Sequence, residues 1–470
     1  MNKTYSPEVQ KRLKYWQWRT LIATMIGYAM FYFVRKNFSF AMPGMESDLG
    51  LTKSQLGLFL TLNGVIYGLS RFVNGFLADR INARYYMSIG LMLCAVSNFA
   101  FGFGVDISTW ITGEASGEQF TNVLIMFMGI MLLVNGLCQG SGFPPVARLL
   151  PQWFQPSELA TKMSIWNTSH SIGAGLVGIL CGYIMIHLGT GENHEGAWRW
   201  CFWIPSIIAF VGAIGLLLTL RDNPTSVGLP ELEGSTVTTK TATKEEKSAE
   251  YKLFLRKMVF GNPLLWILAI ANFFVYIVRF AVLDWGPTML QQLKGISPAN
   301  SGWLVAAFEI TGIAGMLFAG WATDKFLKGR AHRACVFCMA GVALFITLFW
   351  LIPFDGALNS ATSGIAFCMI GFCIYGPQAL IGIAAANQAT KKASSAANGF
   401  TGLIGYAATI VSGVGFGYVA TKFGWDIVYI SVIAIAIVGM AVFLLMWKAK
   451  ADGYERAKSI MENNTLEANN

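Results

Sequence analysis

Charge is what this chain has least of. Asp, Glu, Lys and Arg make up 13% of its 470 residues, about half the ~25% of a soluble domain. With 54% hydrophobic residues it cannot cover itself with polar surface, which excludes a water-soluble globule. Histidine occurs four times and no nucleophile–base set is present, so an enzyme is not expected, nor is a cofactor. The eight cysteines fall mostly inside apolar stretches. Cys335-Val-Phe-Cys338 has CxxC spacing, but it has apolar flanks and no second pair, so no metal is expected there. A G-x-x-x-x-G-K-[ST] motif is missing, which removes direct drive by ATP. The one GxGxxG, at Gly173, Gly175 and Gly178, lies in an apolar run with no strand before it and fits close helix packing.

What the chain does have is long apolar runs. Crossing a ~30 Å hydrocarbon core takes about 20 residues. Twelve runs qualify, at 20–44, 55–78, 84–104, 122–148, 161–187, 201–220, 262–290, 301–323, 333–352, 362–388, 396–421 and 425–448. Backbone groups in lipid must be satisfied within the segment, and the alternation of a membrane barrel is missing, so the expectation is an all-α membrane protein. The opening "MNKTYSPEVQKRLKYWQWRT" is no cleavable signal peptide; it is a basic amphipathic lead into the first span. Lys and Arg collect in "DRINAR", in "DKFLKGRAHR", at Lys391–Lys392 and after Lys448, whereas the intervening connectors hold Asp106, Glu114, Glu118, Glu192, Glu195 and Asp355. That asymmetry predicts cytoplasmic N- and C-termini. The net charge of +9 is then topological, spread over connectors, and no nucleic-acid partner is expected.

The stretch 221–260 is the one long polar segment. It divides the runs six and six: an N-terminal bundle over 1–220, a cytoplasmic linker over 221–260 ending in a short surface helix, a C-terminal bundle over 261–450 and a tail over 451–470. The halves resemble each other. "FYFVRKNFSFAMP" pairs with "FVYIVRFAVLDWGP", where Arg35 and Arg279 each stand eight residues before a proline, Pro43 and Pro287. "GFLADRINAR" pairs with "GWATDKFLKGR". The offsets are 244 for the arginines and 245 for Asp79 and Asp324. Two matches at nearly one offset argue for duplication, the plan of the major facilitator superfamily, in which two pseudo-symmetric six-helix bundles are parallel repeats. Asp79 and Asp324, at helix ends beside cations, suit a latch between neighbouring helices.

Charges inside the runs are costly, each cation about 2.5–3.5 kcal/mol at a bilayer centre. They are Arg35, Lys36, Arg71, Arg148, His170 and Arg279, with the acids Asp284 and Glu309. Arg148, near a helix end, suits snorkelling; Asp284 and Glu309 suit partners for arginines. Arg35 and Arg279 are equivalent by repeat, and a pseudo-twofold axis would aim both guanidiniums at one mid-depth point. A dianion with tetrahedral oxygens, such as phosphate, would relieve their repulsion and take paired hydrogen bonds from each. Lys36, one position on, points about 100° away. Tyr28 and Tyr32 precede Arg35 by seven and three residues, Tyr67 precedes Arg71 by four and Tyr276 precedes Arg279 by three, close to one helical face with their arginines.

The segments "GYAMFYFVRKNFSFAMP", "YGLSRFVNGFLADRINARYYM", "WNTSHSIGAG", "YIVRFAVLDWGP" and "YGPQALIGIAA" resemble the organophosphate:phosphate antiporter family. The resemblance runs through both halves and nearly all spans. It implies that Arg35 and Arg279 bind a phosphoryl group, that His170 and Lys36 take part in substrate binding, and that Asp284 and Glu309 form changing ion pairs. Two departures stand out. Arg71 occupies the position of a span-2 lysine of the glycerol-3-phosphate and hexose-phosphate carriers, and Asn398 and Thr401 replace an Asp and a Lys of one hexose-phosphate carrier. The "DRINARYYMSIGL" stretch is closer to a branch holding both glucose-6-phosphate carriers and a sensor of external glucose 6-phosphate. The resemblance thus implies a monomeric exchanger in a bacterial inner membrane, with sugar phosphate, inorganic phosphate and membrane lipid as its partners. A glycerol-3-phosphate exchanger is one alternative; a receptor signalling to a sensor kinase is another.

Overall fold

The structure, a computed structural model, describes residues 6–78, 81–191, 194–230 and 249–460. Among these the chain is helical, with one isolated bridge, Thr190 to Glu195, outside the helices. Twelve long helices follow one another, as the apolar runs predict. The first six are α1 (Pro7–Leu49), α2 (Lys53–Ala78), α3 (Ala83–Phe101), α4 (Glu118–Gln139), α5 (Pro156–His187) and α6 (Ala197–Thr219). After the polar stretch come α7 (Pro263–Asp284), α8 (Pro298–Phe326), α9 (Ala331–Leu351), α10 (Gly356–Thr390), α11 (Ala396–Phe423) and α12 (Trp425–Leu444). Among the described residues nine helices are long and apolar enough to cross a membrane, or ten when α3 is joined to Gly104–Thr112 across a 56° bend.

Local sequence sets where the helices start and break. Asn262 caps α7 by accepting from the Leu264 N–H at 3.1 Å, Ser297 caps α8, and a proline follows each cap. Helix α1 bends at Val34 (φ −99°, ψ 18°), one residue before Arg35. The fourth run, expected over 122–148, lies within one span, Glu118–Trp153, whose helix is interrupted at Gly140–Gly142 and resumes as Phe143–Trp153 with two prolines near its start. The seventh run stops at Asp284 rather than 290, and Gly286–Lys294 form a new helix behind Pro287. Thr390, at φ +62°, separates α10 from α11, and α11 carries a five-residue π-turn at Val411–Gly415. Ala249–Leu255 form a short helix at the end of the polar stretch; residues 231–248 lie outside the described residues.

By their contacts the residues fall into two compact units, one of Met1–Leu49 with Ile66–Ala242, the other of Gly50–Val65 with Thr243–Asn470. The first unit is glued by buried amides: Asn37 donates to Asn98 at 3.2 Å and to the Cys201 carbonyl at 2.9 Å, and Asn98 donates to Ser206 at 2.9 Å. Such bonds tie α1, α3 and α6 without help from a hydrophobic effect that lipid cannot supply. Helix ends are tied by Asp222, which accepts from Arg148 at 2.9 Å and from the Ala83 N–H at 2.8 Å. Arg148 therefore ends on a carboxylate beside α3.

In the second unit glycines set the crossing distances. A Cβ at Gly315 of α8 would stand 1.9 Å from the Phe372 carbonyl oxygen of α10, and one at Gly371 would stand 2.5 Å from that of Phe308. Thr311 donates across the same seam to the Cys368 carbonyl at 2.9 Å. The CxxC thiols serve packing here: a Cβ at Gly376 would meet Cys338 Sγ at 2.8 Å. The first half of α2 packs in the same way on the π-turn, where a Cβ at Gly57 would stand 2.4 Å from the Gly413 carbonyl oxygen. Gly315→Val should force α8 and α10 apart and lower the melting temperature in detergent by on the order of 5 °C or more. Gly320→Ala, with nothing within 4 Å of the added carbon, should leave it unchanged. Equal melting of the two variants would refute the tight seam.

Candidate functional site

In the first unit the expected residues gather around Arg35. Its guanidinium carbon lies 3.8 Å from the Tyr67 ring centroid, on α2, and 5.6 Å from that of Tyr32, one turn earlier on α1. Rings against the face of a guanidinium stabilise the charge and leave its N–H edge to do the hydrogen bonding. Tyr32 also packs 5.6 Å from Tyr28 and 5.7 Å from His170 on α5. His170 is 5% exposed; its Nδ1 bonds to the Asn167 carbonyl and its Nε2 lies 3.3 Å from the Ser171 hydroxyl. One ring nitrogen thus has an acceptor and the other a hydroxyl that serves as donor or acceptor.

This cluster exists because α5 comes very close to α1. A Cβ at Gly173 would stand 2.6 Å from the Ala29 carbonyl oxygen, and one at Gly178 would stand 2.7 Å from Phe40. The GxGxxG is a helix contact, as its apolar setting suggests. Tyr28 is held 4.6 Å from Trp166, a fully buried residue that sequence reading missed. Arg71 lies 4.8 Å from the Phe143 ring, in the helix after α4, and Phe143 packs 5.7 Å from Trp166. Lys36 is half-buried beside Arg35.

In the second unit Arg279 is 7% and Glu309 2% exposed. Between them stands Tyr375 of α10: its hydroxyl donates to Glu309 Oε2, and the Arg279 guanidinium carbon lies 5.2 Å from its ring centroid. Gly312 makes room for that ring, since a Cβ there would stand 2.6 Å from it. Tyr375 was not singled out from the sequence; its signal is the "YGP" opening of a segment quoted for the resemblance. Tyr276 packs on Phe280 and Tyr406, with centroids 5.3 and 5.5 Å away. Asp284, half-buried, ends α7. Asp324 is exposed in the last turn of α8, fifteen residues or roughly 22 Å along the helix from Glu309. Asp79 lies outside the described residues. Thr401 is buried, its carbonyl taking a 2.9 Å bond from Asn272, and Asn398 is exposed.

The profile of the Major Facilitator Superfamily matches residues 24–413 and 295–463. The glycerol-3-phosphate transporter of Bacillus subtilis is 38% identical over 91% of this chain and 92% of its own. This chain belongs to the major facilitator superfamily, in its organophosphate:phosphate antiporter branch. Two further relatives of this superfamily member are the "probable hexose phosphate transport protein" of Chlamydia trachomatis, 36% identical over 94% of this chain and 93% of its own, and the membrane sensor protein UhpC of Escherichia coli, 34% identical over 93% of both. Among solved structures the D-xylose-proton symporter superposes with a TM-score of 0.69 over 92% of this chain and 97% of its own, at 16% identity. The superfamily fold of twelve membrane helices in two six-helix bundles is therefore established, and with it a transporter-type protein rather than an enzyme.

Tyr375 offers a direct check. Tyr375→Phe removes the hydroxyl from a buried carboxylate and should cost about 1–3 kcal/mol. A thermal-melting cycle with Glu309→Gln and the double variant should show a coupling of about 0.5–3 kcal/mol. Additive losses would remove the Tyr375–Glu309 contact from the account.

Proposed function

We propose that this protein exchanges a sugar phosphate, a hexose 6-phosphate such as glucose 6-phosphate, for inorganic phosphate by alternating access across a bacterial inner membrane. Its termini lie on the cytoplasmic side. The observation that carries this reading is the repeated mid-helix arginine, one per half, each lying over a tyrosine ring from another helix. Arg35 and Arg279 serve the phosphoryl group, with His170, Lys36, Tyr28, Tyr32, Tyr67, Arg71 and Tyr276 around them. Asp284 and Glu309 exchange ion-pair partners, and Asp79 and Asp324 latch helix ends. A doubly negative oxyanion matches two planar donors by charge and shape. Coupling follows from differential affinity: a ligand drives the halves between states only as far as it favours one over the other. With the site empty the two like charges resist occlusion, so the loaded form crosses.

The likeness to a membrane sensor protein favours a second reading, in which the same pocket binds external sugar phosphate and signals to a sensor kinase. The likeness to a glycerol-3-phosphate transporter favours a third, exchange of glycerol 3-phosphate. Proteoliposomes preloaded with phosphate separate them. Labelled glucose 6-phosphate should enter faster than with empty vesicles, and faster than labelled glycerol 3-phosphate. Binding without flux would establish the sensor, and uptake independent of internal phosphate would reject exchange. Arg35→Lys and Arg279→Lys keep the charge but lose the planar fork; each should lower exchange by about a hundredfold. Unaltered exchange in either variant would remove that arginine from the site.

A further inference from the structure

The basic amphipathic start of α1 has no part in the exchange reading, and it is docked rather than loose. Trp16 stacks on Trp153 at 6.1 Å, Gln17 donates to the Trp153 carbonyl at 2.7 Å, and Arg12 donates to the Val227 carbonyl at 3.1 Å. That leaves the opposite face of the helix outward. That face is a shallow, open surface formed by Lys11, Lys14, Tyr15, Trp18, Arg19 and Ile22. Its polar end is cationic and braced. Arg19 donates to the Tyr15 hydroxyl at 3.1 Å and to the Thr219 carbonyl at 3.2 Å. From α5, Lys162 brings its ammonium 4.3 Å from the Trp18 ring centroid. The acids nearest in sequence are Glu8 and Glu158, both exposed, against four cations.

Past the cations the same face turns apolar. Trp18, Ile22 and Ile26 are 44%, 50% and 52% exposed at steps of four residues, so they line one side of the helix. From Lys11 to Ile26 the rise is roughly 22 Å. A cationic end with an aromatic collar, followed by about 12 Å of exposed apolar surface from Trp18 to Ile26, matches an amphiphile with an anionic head and an acyl chain. We infer that this face of α1, with Lys162, is a binding site for an anionic diacyl phospholipid. The phosphodiester is held by Lys11, Lys14 and Lys162, the glycerol lies against Trp18, and a chain runs along Ile22 and Ile26. Charge complementarity excludes a zwitterionic lipid as the preferred occupant, because choline would place a cation among four others.

Native mass spectrometry of the purified full chain, with phosphatidylglycerol or phosphatidylcholine of identical chains added, tests this. The anionic lipid should be retained about tenfold better. Lys11→Gln/Lys14→Gln/Lys162→Gln should bring the two lipids within about twofold of each other, by the loss of roughly three surface charges. Lys422→Gln, elsewhere on the surface, should change nothing. Equal retention of both lipids, or an anionic preference that survives the triple variant, would overturn the site. Displacement of the lipid by soluble glycerol phosphate alone would make it a free-anion site and overturn the lipid assignment.

Discussion

Carrying a guanidinium into the apolar stretch of a helix costs about 2.5–3.5 kcal/mol on insertion scales, and it cannot be escaped by deprotonation, since arginine stays charged throughout the accessible range. Both halves accept that cost at equivalent positions, Arg35 and Arg279. In each, the charge is met by an aromatic face from a different helix: Tyr67 of α2 at 3.8 Å and Tyr375 of α10 at 5.2 Å. The rings do what water does elsewhere, holding the cation by its face. Much of the surrounding architecture serves to bring those rings close. Gly312 opens the space that the Tyr375 ring fills, and Gly173 lets α5 bring His170 against Tyr32.

The duplication that sets the two arginines at one offset does not extend to their surroundings. Arg35 sits with Tyr32 on its own helix and a histidine-bearing neighbour beyond it. Arg279 sits with a tyrosine hydroxyl that answers to the buried Glu309. Arg35 thus meets two ring faces, and Arg279 a ring whose hydroxyl is bound to a carboxylate.

Much of this was legible in the sequence. Long apolar runs, their six-and-six division and the repeated arginines are one-dimensional signals, because a helix in lipid satisfies its own backbone and needs little more than length and hydropathy to be recognised. Tyr32 was legible as well, since three residues bring it onto the Arg35 face. Tyr375, Trp166 and Asp222 were not. Each acts on a residue dozens of positions away, through packing between helices whose partners no periodicity names. The breaks at Val34, Gly140–Gly142 and Asp284 were hidden for a related reason. Hydropathy passes through them unchanged, and only caps, prolines and packing decide where the backbone turns.

The π-turn of α11 shows how far packing in the second unit depends on polar satisfaction. A π-turn takes the backbone out of α-helical register and alters which N–H and C=O groups pair. Here Thr61 of α2 supplies the missing bonds: its hydroxyl donates to the Thr409 carbonyl at 2.9 Å and accepts from the Val414 N–H at 2.9 Å. One side chain therefore satisfies a donor and an acceptor of another helix, at a seam where a Cβ at Gly57 or Gly413 would not fit. Lipid offers neither bond. Separating the first half of α2 from α11 would leave one donor and one acceptor of α11 unsatisfied, a cost of several kcal/mol where only lipid could replace Thr61.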